Sequence, residues 1–505
     1  MNPLLRAAVV AVILFALFLS PALSIVENQR TIANSGTIAL REKDYVQPFG
    51  FRIADMMTDL LPPNFDFEPE ANAWQAALND LKAASPNGEI THVQLRIWWS
   101  LLIDEYGNTG DNFITPKLGS NDGKGNEWGT QWSIMRRKMT STGNQIPADP
   151  NTPIWKRWYF GQGVPLAYGP SAVERIHDAG LKVELAVSGA WGEGPTGLAK
   201  PGGDTCNIGG WDEKESSYPE WIAAGGGDQF IENYKNNVLL PVANFAKDYL
   251  QDGDIFMLSF EMAYPTSDFT WSHNAKWNET INAVRDVFRA AGKRIVLTLD
   301  HCGWFDDTSL GYDAVKLQNP SAPLGSSNKG ISGAKYLANL DFISFSNWLP
   351  LVLQSEMKTT WADTDVPWLV NHWFANPNFY KVGTGYGDVP AVIGRDIVAD
   401  MRALSQVMGK LVLQNTGWES SHGFLYNSPN RVSSTVDLKE QRVAWAAQLG
   451  ALDDNRSQWQ SWCAGQDFER YAEDKATDPT NLGASWHNAP AQTAIIDGIR
   501  SILSQ

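Results

Sequence analysis

The chain reads as an α/β protein, and three observations say so. Eight short apolar runs alternate with amphipathic stretches along its 505 residues. The runs are nearly continuous in apolar residues, as suits parallel strands covered on both faces. Amphipathic stretches close on a glycine just before the next run, at Gly180, Gly292 and Gly409, where a left-handed C-cap ends a helix. Eight such units predict a single (β/α)8 TIM barrel with long loop insertions, whose chemistry lies at the C-terminal ends of the strands.

Taken in order, the first run, 50–56, precedes the amphipathic stretch 71–83. The second, 92–98, carries Arg96 and ends on Trp98, and the third, 181–188, follows the stretch 171–179 and leads to Trp191 and Glu193. The fourth, 255–260, reads IFMLSF and runs directly into Glu261, with the stretch 277–291 behind it. The fifth, 294–299, leads into Asp300 and His301, and the sixth, 340–346, into Asn347 and Trp348. After the stretch 396–408 the seventh, 411–414, meets Asn415, Gly417, Trp418 and Glu419; after 438–452 the eighth, 458–462, ends on Trp462. Three segments break the alternation, about 104–168, 195–219 and 349–390. Long irregular loops in a compact domain usually serve as lids or cleft walls.

The formal net charge of −16 argues against a nucleic-acid partner, because a phosphate backbone demands a basic face. Residues 1–24 combine Arg6, an apolar run from 7 to 19 and a small-residue end, the pattern of a secretory signal peptide. The run falls short of the roughly 20 apolar residues of a stable span. Secretion is therefore expected, with 25–505 as the catalytic domain; left uncleaved, the segment would anchor the chain to a membrane. Of the cysteines Cys206, Cys302 and Cys463, one disulfide would leave one thiol over, and spacing does not choose the pair. Sequons at Asn278 and Asn455 matter only in a glycosylating host.

The 22 tryptophans exceed what a core requires, and flat aromatic faces bury the C–H face of a sugar ring well. Trp98, Trp191, Trp348, Trp418 and Trp462 follow or end strand-like runs and are expected to stack on rings. Arg96, Asp300, Asn347 and Asn415 are expected to hold hydroxyls. Glu261, at a strand end behind Phe260, is expected to be a general acid held protonated by apolar surroundings; an ion pair with Arg96 is the structural alternative.

These residues resemble a known family. LSFEM with the following WNETINAVRDVFR, LDFISFSNWLPL, and KLVLQNTGWESSHG with VDLKEQRVAWAAQL look like strands four, six and seven of a clan A glycoside hydrolase, nearest to glycoside hydrolase family 113, whose members are β-mannanases. The resemblance covers roughly 46–501 without the insertions. It implies a barrel hydrolase of β-linked polysaccharide with Glu261 as acid/base. The family's seventh strand ends in a nucleophilic glutamate; the matching residue here is Asn415.

A retaining glycosidase needs two carboxylates roughly 5–5.5 Å apart, and an inverting one holds them farther apart around a water. Glu419, four residues beyond Asn415, is the nearest substitute, and reads equally as a loop glutamate. Asp300 or Glu193 as base, or a substrate N-acetyl group oriented by Asn415, are the other repairs. The endpoint without repair is a carbohydrate-binding protein on a hydrolase-like barrel. His301, His372, His422 and His487 show no HxH or HExxH spacing, so no metal and no cofactor is expected.

Overall fold

The computed structural model describes residues 45–56, 67–99, 156, 159–162, 169–189, 232, 235–260, 274–302, 339–346, 350–377, 396–428, 433–454, 459–469, 471 and 485–504, at some strand and helix ends by backbone alone. All belong to the compact unit Tyr45–Gln505. The expected signal segment 1–24 and the expected insertion 195–219 lie outside the described residues, as does most of 104–168.

Nine strand segments build one parallel sheet: β1 Phe51–Asp55, β2 His92–Trp99, β3 Lys182–Gly189, β4 Ile255–Phe260, β5 Val296–Thr298, β6 Asp300–Cys302, β7 Ile343–Ser346, β8 Val412–Thr416 and β9 Cys463–Phe468. Their spatial order is β5-β4-β3-β2-β1-β9-β8-β7-β6. β5 and β6 flank the single residue Leu299, one paired with β4 and the other with β7. They are halves of one stave. Backbone N–H groups of Asp341 and Ser344 reach the Leu297 and Leu299 carbonyls and carry the ladder past the break. The sheet thus closes as an eight-stave parallel barrel, with no stave left as an edge.

Period-2 alternation sends every second strand residue into the barrel. In the N-terminal half these are Phe51, Ile53, Ile255, Val296, Phe342 and Leu413, joined by Ala464 where a bulge shifts the alternation of β9; in this apolar plug the Phe51 and Phe342 rings stack at 4.7 Å. Residues of opposite parity, such as Val93, Leu95, Val183, Leu185, Phe256 and Leu258, join the helices in the larger outer core.

The helices start and stop where local chemistry directs. Ser171 and Glu174 form a capping box at Ala172–Asp178, and Asp396 accepts from the Ala399 N–H at 2.8 Å to open Ile397–Met408. Gly409 ends that helix with φ 61°, and Gly180 and Gly292 do the same for their helices.

Two expectations change. The part of the expected insertion 349–390 that is described includes the helix Val366–Phe374, which buries Leu369, Val370 and Trp373 in the outer core. Val370 meets the helix Leu438–Asp454 where Gly450 leaves no side chain in the way. This piece belongs to the helical layer of the barrel. The eighth strand is Cys463–Phe468 and not 458–462. Trp459 and Trp462 lie in a turn before it, where the Trp462 N–H bonds the Trp459 carbonyl and Trp459 packs on Phe49. Their apolar mass drew the expectation toward the wrong side of the turn.

Candidate active site

The C-terminal half of the barrel interior is polar where the N-terminal half is not. Asp55 ends β1, Gln94 and Arg96 alternate on β2, and Glu184 stands on β3. On the last stave Asp467 lies in β9, and Glu469 follows it at the same parity. All six are buried. Arg96 organises them: Nη2 donates to Asp55 Oδ2 at 2.6 Å and to Glu469 Oε1 at 2.9 Å, and Nε donates to Gln94 Oε1 at 2.6 Å. The Gln94 amide then donates at 2.8 Å to both Glu184 Oε2 and Asp467 Oδ2. One guanidinium and one amide hold four carboxyl groups together.

A single buried cation cannot offset four buried anions, so part of the negative charge is removed by protonation. Burial is the main force pushing Glu184 up to about 8; Asp300 and Asp55 add to it, while the Gln94 hydrogen bond and Arg96 oppose it. Asp467 is driven well above the usual carboxylate range, first by burial and then by Glu184, Asp55 and Glu469.

This has a consequence for stability. Above pH 4.5 an unfolded Glu184 has lost its proton, whereas folded Glu184 keeps it until about pH 8. The folded state then binds more protons, so stability falls as pH rises toward 8. Buried His92 has the opposite sign, lowered to about 4 chiefly by burial. Its contribution is lost only as pH falls through its own range, leaving the carboxyl groups to set the slope above about pH 7. Glu184→Gln is expected to flatten that slope, so that its stability relative to the wild type rises by on the order of 2 kcal/mol between pH 6 and pH 8. Urea midpoints at pH 6, 7 and 8 measure it.

Asn415 lies on β8 with Ser346 and Asp467 as ladder partners and is fully buried. Asp300 opens β6, buried, and accepts from the Ser344 hydroxyl at 2.5 Å across to β7. Glu419, 9% exposed, stands in the segment after β8. That segment is tied to the outer layer. Trp418 Nε1 donates to Gln448 at 2.8 Å, the Trp418 carbonyl accepts from Gln441 at 2.7 Å, and the Ser420 carbonyl accepts from the Asp437 N–H at 2.6 Å. His422 closes the clamp 3.0 Å from Asp437 and 3.3 Å from Glu440. The ligand atoms of these three residues lie within 4.8 Å of one another, close enough for a cation site. Glu440, however, accepts from the Gly423 and Leu425 N–H groups, and Asp437 Oδ1 from those of Lys439 and Glu440. The cluster works as a helix cap.

Two expected stacking residues are corrected. Trp418, 1% exposed, turns its ring outward against Phe424 and the helix Leu438–Asp454. Trp462, also 1% exposed, immediately precedes β9 and so lies at the N-terminal end of the barrel, opposite its mouth. Arg96 is likewise committed to carboxyl groups of the chain itself. Glu261, Trp191, Glu193, Asn347 and Trp348 lie outside the described residues, and Trp98 and His301 are described by backbone only. Cys463 is a buried free thiol, which burial pushes up to about 12.

Asp55, Glu184, Asp467 and Glu469 are the residues that motif reading passed over. Their signal is positional: acids at period-2 spacing inside or just beyond strands, in FRIAD, KVELAVSG and CAGQDFE. An acid in a strand buried on both faces needs a partner or a use.

No protein-family model and no curated protein matches the chain. Among solved structures it is similar to a glycoside hydrolase family 113 β-1,4-mannanase, with TM-score 0.43 and 13% identity over 90% of this chain and 99% of that one. A glycoside hydrolase family 5 enzyme from Prevotella bryantii B14 gives TM-score 0.41 and 13% identity over 90% and 97%. Endoglucanase Cel5A from the hyperthermophilic Thermotoga maritima gives 0.38 and 12% over 90% and 100%. The barrel assignment rests on its own closed strand order and not on these likenesses.

Proposed function

We propose that the chain is a glycoside hydrolase that cleaves β-linked polysaccharide of the mannan or glucan type, acting within the polymer at the C-terminal end of the barrel. The observation that carries this reading is the ring of carboxyl groups gathered by Arg96 in that half of the interior. Buried acids whose protonation is shifted by burial and by one another are the usual equipment of acid/base catalysis. Ion pairs buried for stability alone return little, because desolvation offsets their attraction.

In this reading Glu261, the residue after the last residue of β4, protonates the glycosidic oxygen. Asp300 and Asn415 belong to the polar lining that orients the reacting ring, Arg96 holds the carboxyl groups beside it, and a second carboxylate on the far side of the anomeric carbon completes the reaction. Glu419 is the sequence candidate for that role. The protein would work outside the cell after removal of 1–24. The test is release of reducing ends from β-mannan, β-glucan, xylan and N-acetylated polysaccharides by the mature protein. Release from β-mannan or β-glucan is the expected result. Binding to a polymer without any release would favour the second reading, a carbohydrate-binding barrel, for which the uncharged Asn415 speaks.

A further inference from the structure

We propose that Glu469 is the nucleophilic carboxylate of this barrel, so that the charge absent at Asn415 is supplied by the next stave; the assignment rests on the hydrolase reading above. β8 and β9 are adjacent and parallel, and the Glu469 N–H bonds the Thr416 carbonyl at 3.0 Å. Glu469 therefore stands beside the C-terminal end of the strand that bears Asn415. Its side chain faces inward, because Oε1 receives Arg96 at 2.9 Å.

Glu469 is 2% exposed, and its second oxygen, Oε2, is buried without a hydrogen-bond partner among the described residues. Leaving such an oxygen unsatisfied costs about 1–3 kcal/mol, more for a charged group. A bound ligand presented to Oε2 removes that cost. With one oxygen anchored and the other unpaired among the described residues, the carboxylate has the posture of a nucleophile.

The neighbouring residues explain the displacement. Asn415 has Asp467 as its ladder partner, and Asp467 already shares Gln94 with Glu184. A carboxylate at 415 would add a like charge to the most crowded part of the ring, and like charges disfavour one another's ionised forms. Asn415 keeps the shape and omits the charge. Glu469, two residues beyond Asp467, lies next to the guanidinium instead. Glu419 is placed less favourably, since both of its chain neighbours are tied to the outer helix.

In the reaction, Oε2 attacks the anomeric carbon as the bond to the glycosidic oxygen breaks, and that oxygen leaves with the proton of the general acid. Water then attacks the same carbon and gives a proton to the conjugate base of that acid. The ester bond breaks, which returns the Glu469 carboxylate and a sugar of retained configuration.

The experiment treats the mature wild-type protein with 2,4-dinitrophenyl 2-deoxy-2-fluoro-β-mannoside and the corresponding β-glucoside, which trap a glycosyl ester, and maps the label by tryptic peptides. Residues 457–470 form one peptide carrying Glu469, and 411–431 another carrying Glu419. A label on Glu469 is expected. Glu469→Ala should cut polymer hydrolysis by roughly a thousandfold or more, with partial recovery in sodium azide, which a purely structural role would not give. Circular dichroism of Glu469→Gln guards against misfolding, and the label needs no variant at all. A label on Glu419, an active wild type that takes no label, or release of the inverted anomer overturns the assignment and leaves the hydrolase reading in place. A wild type that releases nothing from any polymer and takes no label overturns the hydrolase reading itself.

Discussion

Gly465→Ala should leave little folded protein. Gly465 opens the ladder between β9 and β1, paired with Phe51, at φ 151°. An added Cβ would stand 1.7 Å from the Phe51 carbonyl oxygen and 2.6 Å from its carbon. Those atoms are backbone of the neighbouring stave, so no rotamer change relieves the overlap. Relief requires β1 and β9 to part, and those staves bring Asp55 and Glu469 to Arg96. A loss of about 4 kcal/mol or more is expected, in the range reserved for broken cores and strained backbones. Gly88→Ala is the matched control: φ is 76°, but nothing lies within 4 Å of the added carbon. Its cost should stay near 1 kcal/mol, the penalty of the left-handed region alone. Urea unfolding of both variants, or soluble yield where Gly465→Ala does not survive, measures the contrast. Equal stability of the two would contradict the close approach of β1 and β9 at this position.

The barrel was legible because its signals are redundant. Ile255–Phe260 is a continuous apolar strand bounded by polar residues, and the expectation matches it residue for residue. Gly180, Gly292 and Gly409 marked helix ends through a backbone conformation that other residues avoid. The last stave was not legible for a physical reason. CAGQDF carries its polar residues on both faces, Gln466 outward to Gln448 and Asp467 inward to Gln94. No apolar face remains to announce it, whereas Trp459 and Trp462 announce a turn that is not a strand.

Losing that strand also hid Asp467 and Glu469, and with them the centre of the ring. Arg96 was expected to hold sugar hydroxyls or to pair with Glu261, but its partners come from β1 and from beyond β9, separated from it by 41 and 373 positions. No local pattern joins residues so far apart. Trp418 failed in the other direction: a Gly-Trp pair after a strand looks like a sugar platform. The hydrogen bond to Gln448, thirty residues on, shows the indole to be part of the outer packing.

Glu261→Gln carries a large expected effect on activity, and one that separates two kinds of substrate. A general acid contributes about 10²–10⁴-fold to proton transfer in the transition state, and glutamine keeps the shape while removing the proton. The effect must depend on the leaving group. A sugar hydroxyl departs poorly unless protonated, whereas 2,4-dinitrophenolate departs without help. Loss of the acid should therefore fall on the polymer and spare the activated glycoside.

The most direct measurement compares wild type and Glu261→Gln on the polymer that wild type cuts best and on its 2,4-dinitrophenyl β-glycoside. The expected result is a fall of at least about a hundredfold in kcat/KM on the polymer and less than about tenfold on the aryl glycoside. Equal rates for the two proteins on the polymer would contradict the account, because the barrel would then cut with a general acid other than Glu261.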